Sequence, residues 1–186
     1  MNIPEIFKYN SLISVPLFSV IAFLLIKKVP NYSFRKYTVS ESFNFLHHPI
    51  QVIIFRLNFI IKALLDFSFT LYILNNFKIP LKSPITLSLT LSAFLFGTLA
   101  YFVEGKYKIL HRVIIYTSGL LWGIGHIYLI WLIGNATFGL FTTIMVFVPI
   151  ILGFSFLFAK KTNVFVQTIC ITIWYCWLFV FVFQYL

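Results

Sequence analysis

Charge is scarce in this chain: of its 186 residues only 10% are Asp, Glu, Lys or Arg, and just four are acidic. A soluble domain carries about 25% charged residues. With 61% hydrophobic residues and a mean hydropathy of +0.98, that scarcity excludes a water-soluble globule and points to a bilayer. No tandem repeat, low-complexity segment or Gly/Ser linker interrupts the chain, which excludes a string of modules. A single domain with short loops is expected over 1–186. Cys170 and Cys176 lie in one apolar run at a spacing that puts them on different helical faces, which excludes a disulfide or a shared metal between them. Small apolar roles suit both thiols.

Soluble-enzyme signatures are missing as well. There is no Gly-rich phosphate loop, no G-x-S-x-G elbow, no H-x-x-x-H or H-E-x-x-H, and no Cys/His pairing. His47 and His48 are adjacent and cannot both face one ion from a regular helix. Neither a metal nor a cofactor is therefore expected.

What is present is a series of apolar runs near the ~20 residues that a helix needs to cross the hydrocarbon core. Six are found, near 10–27, 51–75, 84–103, 110–133, 138–159 and 164–186, and they predict an all-α, polytopic transmembrane bundle of six helices. The run "ITLSLTLSAFLF" (85–96) alternates in a way that also suits a strand. A membrane β-barrel would need that alternation in every run, and the other five lack it. The first run follows Lys8 like the apolar core of a signal peptide, but Lys27 and Lys28 come directly after it with no A-x-A cleavage pattern. It is expected to stay in the mature protein.

The basic residues sort by connection. Lys27, Lys28, Arg35 and Lys36 fall in the first, Lys106, Lys108 and Arg112 around the third, and Lys160 and Lys161 in the fifth, against only Lys8, Lys78 and Lys82 on the other side. Short loops rich in Lys and Arg stay in the cytoplasm. The expected protein is thus an integral, multi-pass one with both termini outside and the basic loops inside. Placement at span ends accounts for the net charge of +10 without a nucleic-acid partner. The partners expected are membrane lipids and either a second copy of the chain or another membrane protein.

The connection over 28–50 is long enough for structure of its own. "TVSE" (Thr38 to Glu41) has the form of a capping box and predicts a short helix ending before Pro49. Aromatic residues mixed with Arg35, Lys36 and Tyr37 suit the lipid headgroup region.

Within the second run, "RLNFIIKALLDF" (56–67) places polar groups far from either end. At 100° per residue Asn58, Lys62 and Asp66 share one face, with Arg56 nearer the basic end where its stem can snorkel. A lipid-facing charge costs about 3 kcal/mol on insertion scales, so the stripe is expected to turn inward, with Lys62 and Asp66 paired. In the fourth run His111, Ser118, Trp122 and His126 recur at helical spacing, and Gly119 and Gly123 form a GxxxG that permits close helix approach. Asp66 and His126 lie at similar depth, so His126 is expected to complete the cluster. The expected partner of the two glycines is the small-residue track Ala93, Gly97 and Ala100.

The order of "YSFRKYTVSE" (Tyr32 to Glu41), a polar second span, "FGTLAYFVEGKYKILHR" (Phe96 to Arg112) and six helices overall resembles the bacterial and archaeal six-span proteins related to the Frag, DRAM and Sfk group. That resemblance implies a compact six-helix bundle and a tie to lipid remodelling, lipid-kinase regulation or autophagy, without one shared reaction. The seven-span ceramidase-like hydrolases offer a second comparison, for their intramembrane zinc site. Asp66, His111 and His126 are present here, but the H-x-x-x-H pair and the seventh span are not.

The sequence therefore predicts a membrane protein whose Asn58, Lys62, Asp66, Ser118, Trp122 and His126 bind a lipid headgroup or small ligand. The alternatives are a lipid-modifying enzyme using His126 or His111 with Asp66, and a proton-coupled transporter or oligomeric channel.

Overall fold

The computed structural model describes residues 3–104, 106–158 and 163–186. Among them the chain is helical throughout: α1 (Asn10–Lys27), α2 (Pro49–Asn76), α3 (Pro84–Thr98), α4 (Lys108–Ile133), α5 (Ala136–Phe158) and α6 (Val164–Tyr185), with short 3-10 helices at Glu5–Tyr9 and Ser40–Phe45. Local chemistry sets several of these boundaries. Proline occupies the first turn of α2 and of α3, where its missing N–H costs nothing. The side chains just before them cap the free donors: His48 Nδ1 accepts from the Ile50 N–H at 3.3 Å and Ser83 Oγ from the Thr86 N–H at 3.1 Å. Asn163 does the same for α6 through the Val166 N–H. α4 stops at Gly134, whose φ of 81° is the left-handed conformation that glycine adopts without a steric penalty. Asn135 then opens α5 by accepting from the Phe138 N–H at 2.9 Å.

Four stretches are long and apolar enough to cross a membrane: Glu5–Lys27, Lys108–Ile133, Ala136–Gly153 and Val164–Tyr185. α3 is apolar but only 15 residues long, shorter than the expected run of 84–103. Beyond Thr98 the backbone tightens into turns, with the Leu99, Ala100 and Tyr101 N–H groups bonding three residues back. This keeps Leu99 and Ala100 fully buried and brings Glu104 back over the bundle. The end of the fifth expected span, and Lys160 and Lys161, lie outside the described residues. The architecture is a helical bundle with the composition of a membrane protein.

In lipid, apolar contact between helices gives little net drive, because the acyl chains are as apolar as leucine. Close approach and interhelical hydrogen bonds then set the packing. α1 and α2 run antiparallel in a polar register, with Asn10 Nδ2 donating to Ser68 Oγ, Ser11 and Ser14 to Asp66, and Asn58 Nδ2 to the Phe18 carbonyl. α3 and α4 are tied by Ser92 and Ser118, each hydroxyl donating to the other's backbone carbonyl at 2.8 Å. Gly125 of α4 receives Leu89 and Ser88 of α3, while Gly97 of α3 receives Ala63 of α2. α5 and α6 join through Trp177, whose indole N–H donates to Thr142 at 2.9 Å.

The first connection folds over one end of the bundle. Its capping box forms, with the Thr38 N–H on Glu41 Oε2 at 2.7 Å and the Glu41 N–H on Thr38 Oγ1 at 3.2 Å. The connection docks on the start of α6. The Val164 N–H donates to the Tyr37 carbonyl, Asn163 to the Arg35 carbonyl at 3.1 Å, and the Val39 N–H to Gln167 at 3.0 Å. Arg35 and Lys36 stay exposed, while Tyr37 is half-buried against Tyr32 and Phe45. Burial, reinforced by the Glu41 and Glu104 carboxylates, raises the Tyr32 phenol above its ordinary pKa. It therefore stays protonated and donates to the Thr38 carbonyl at 2.6 Å. Lys27, Lys28, Arg35, Lys36, Lys106, Lys108 and Arg112 are thus gathered at a single end.

Candidate functional site

Lys62 and Asp66 form a hydrogen-bonded ion pair one helical turn apart on α2, both side chains largely buried. Asp66 accepts on its other oxygen from Ser11 Oγ at 2.9 Å and Ser14 Oγ at 2.6 Å. Its second set of partners therefore comes from α1, not from α4 as the shared depth of His126 suggested. "NSLIS" (Asn10 to Ser14) carries the signal, since its polar residues recur every three or four positions and so mark one helical face. The Lys62 ammonium also lies 4.7 Å from the centre of the Phe96 ring, a cation–π geometry that offsets part of its desolvation. Asn58 faces the same way but is spent on the Phe18 carbonyl. Arg56 stays exposed, its guanidinium 5.9 Å over Phe43.

His126 belongs to a different environment. Its ring sits 4.2 Å from Trp122, 4.9 Å from Trp177 and 6.0 Å from Phe181, centre to centre, and it is 1% exposed. Nδ1 lies 2.8 Å from the Trp122 carbonyl, which can only accept, so Nδ1 carries the proton. Nε2 has no hydrogen-bond partner. The expected face of α4 in fact divides. His111, Ser118 and Gly125 recur every seven residues on one line, and Ser118 and Gly125 pack on α3, whereas Trp122 and His126 turn toward α6. The GxxxG follows the latter side: Gly119 meets Trp174 of α6 and Gly123 meets Val146 of α5, so neither meets Ala93, Gly97 or Ala100.

Between these helices lies a chamber of about 480 Å³. Lys62, Asp66 and Ser11 form its polar wall, and Phe18, Phe59, Trp122 and Trp174 are among its many apolar linings. Ser118 borders it, but Asn58, His111 and His126 do not. The indole N–H of Trp174 is buried without a partner. Lys62, with three N–H donors, gives one to Asp66. The Lys62 ammonium thus keeps donors at the chamber wall beyond the one given to Asp66. α1 and α6 close at one end, where Tyr175 donates to the Leu12 carbonyl at 3.3 Å and Tyr9 packs on Phe183. The chamber lies on the other side of that contact, with Ser19 of α1 exposed at its rim.

A second, polar cavity of about 290 Å³ lies at the basic end. Glu104 organises it, accepting from Arg112 Nε and Nη2 at 3.2 and 3.1 Å and from Thr38 Oγ1 at 2.9 Å. Lys36, Lys108, His111 and Glu41 line it too. Ser40, Ile115, Tyr116 and Gln167 border both cavities, so the polar one, here called the vestibule, adjoins the chamber. Among the described residues no three His, Cys, Asp or Glu side chains converge as metal ligands would. Cys170 lines the chamber, half-buried, with its thiol 3.5 Å from the Pro149 carbonyl, and Cys176 is exposed. In comparisons with known proteins, no family model, curated protein or solved structure matches the chain.

Proposed function

We propose that the chain is a six-span integral membrane protein that binds a lipid, or a small ligand of similar amphiphilic character, in the chamber beside Lys62 and Asp66. The observation that carries this reading is the chamber itself, a largely apolar cavity with one charged, hydrogen-bonded wall. Binding sites for small molecules combine an apolar lining with a few fixed polar groups in this way. Ionisable residues kept at intramembrane depth mark sites for polar ligands more often than they serve packing alone. Lys62 supplies the donor for an ester, hydroxyl or amide of the ligand. An enzyme acting through a His126–Asp66 contact has no support, because the imidazole is walled off by Trp122, Trp177 and Phe181.

The six-span count extends the four apolar stretches by α2 and α3. α2 has 28 residues, ample for the core even with its charges turned inward. α3 reaches full depth only with the turns that follow it, and non-helical backbone is tolerated there because Leu99 and Ala100 are buried in protein. The positive-inside rule then sets the vestibule in the cytoplasm and both termini outside. Kinship to the six-span Frag, DRAM and Sfk group is part of the same proposal. Epitope tags at either terminus are expected to be reached by antibody on intact cells. Access only after permeabilisation would reverse the orientation while leaving the chamber in place.

Occupancy of the chamber is testable through Cys170. In a Cys176→Ser protein in detergent, N-ethylmaleimide labelling of Cys170 is expected to slow about tenfold when diacylglycerol is present at ~10 times its Kd. A labelling rate indifferent to phosphatidic acid, phosphatidylcholine and diacylglycerol alike would overturn the binding reading.

A further inference from the structure

Three features of the vestibule are left unused by the chamber. The first is uncompensated positive charge. Lys36, Lys108 and Arg112 line it against the carboxylates of Glu41 and Glu104. Both oxygens of Glu104 are already taken by Arg112 and Thr38, and Glu41 accepts from the Thr38 N–H. Neither Lys36 nor Lys108 is in an ion pair among the described residues. The second is the start of α4, a helix of 26 residues with no side-chain cap and no acidic residue in its first turn. Its free N–H groups and positive dipole end favour an anion. The third is His111, 2% exposed and lining the vestibule. Its Nδ1 lies 2.5 Å from the Phe102 carbonyl, so the proton sits there, and the buried Nε2 has no partner. Unlike His126, which aromatic rings enclose, His111 borders a polar cavity, where a donor from outside the chain can reach it.

We infer that the vestibule holds the anionic phosphate head of an amphiphile, one acyl chain of which reaches into the chamber. Lys36, Lys108 and the α4 N-terminus supply the positive field, and His111 Nε2 receives a hydrogen bond from a hydroxyl of the head. The two cavities adjoin along four shared bordering residues, which places head and chain of one molecule within reach of both. The depth fits as well: from Lys108 to Trp122 is fourteen residues of α4, about 21 Å at 1.5 Å per residue, the reach of a long acyl chain. The inference rests on the chamber reading and commits it to an anionic lipid.

The test compares phosphatidic acid, phosphatidylcholine and diacylglycerol of identical chains, and inorganic phosphate alone, by native mass spectrometry of the detergent-purified full chain. Phosphatidic acid is expected to bind at least tenfold more tightly than phosphatidylcholine. Replacing the two exposed lysines, Lys36→Gln with Lys108→Gln, should erase roughly tenfold of that preference and leave diacylglycerol binding unchanged. His111→Phe, which keeps the ring volume, should weaken phosphatidic acid without affecting diacylglycerol. Equal binding of phosphatidic acid and phosphatidylcholine, or a preference untouched by the lysine replacements, overturns the head-group assignment while the chamber stands. Inorganic phosphate binding as tightly as phosphatidic acid makes this a free-anion site and overturns the amphiphile. Failure of all three lipids to bind overturns the chamber first.

Discussion

Asp66→Asn is expected to destabilise the folded protein by about 3 to 5 kcal/mol, and Lys62→Met by a similar amount, while the double replacement costs much less than their sum. The asymmetry comes from what each change leaves behind. Asparagine can still accept from Ser11 and Ser14, but it strands an ammonium whose remaining neighbour is the Phe96 ring. Methionine fills the lysine's volume, but it leaves a carboxylate with two hydroxyl donors and no counter-charge. Lys62 is thirteen residues from the start of α2 and fourteen from its end, about 20 Å from either at 1.5 Å per residue. It cannot snorkel out to water at that depth. Thermal or denaturant unfolding in one detergent reads all three variants on the same scale. If the double variant is as damaged as the singles combined, the two charges are not coupled and the pair is not what holds them. If it folds but loses lipid protection of Cys170, the pair serves the ligand as well as the fold.

The helical class was legible because bilayer thickness fixes the length of an apolar run, and the runs at 10–27, 51–75, 110–133 and 164–186 match helices within about two residues. α3 shows where that rule stops. Hydropathy continues to residue 103, but the chain leaves the helix at Thr98 so that Leu99 and Ala100 can pack and Glu104 can reach Arg112 and Thr38. A window of apolar residues looks the same whether helical or turned, since both are buried. The capping box at Thr38 was readable for the opposite reason, being wholly local.

The candidate site was legible in part for the same physical reason. Lys62 and Asp66 sit on one helix, four residues apart, and intrahelical geometry alone brings them together. Which other helix supplies the next partner depends on the order of neighbours around the bundle, and depth along the membrane normal is only one of the coordinates needed. His126 turns its ring onto Trp177 and Phe181 of α6, whereas Ser11 and Ser14 bond Asp66 directly. Grouping His111, Ser118, Trp122 and His126 as one face failed similarly. A helix in a bundle has neighbours on several sides, and a stripe that wide is shared between α3 and α6. The vestibule assembles Thr38, Glu104, Arg112 and Gln167 from distant segments, and no spacing rule reaches across those separations.

Gly123→Leu and Gly125→Leu are each expected to destabilise at or beyond the upper end of the about 1 to 3 kcal/mol typical of overpacking. The close approaches lie on two sides of α4. A Cβ at Gly123 would fall 2.3 Å from Cγ1 of Val146, and one at Gly125 would fall 2.6 and 2.8 Å from Cδ2 and Cγ of Leu89. Carbon atoms in contact sit about 3.5 to 4.0 Å apart, so even alanine requires a neighbour to move. Leu89 is 1% exposed and Val146 likewise, so a shift of either disturbs buried contacts. The decisive control is reciprocal. Val146→Ala removes the atom that Gly123→Ala would strike, so the pair together should recover much of what Gly123→Ala alone loses, and Val146→Ala should do nothing for Gly125→Ala. Melting in detergent distinguishes the cases. Rescue of both glycine variants by Val146→Ala, or of neither, would mean that α5 does not seat on Gly123. In the arrangement described, α4 is held by α3 on one side and α5 on the other through glycines two residues apart.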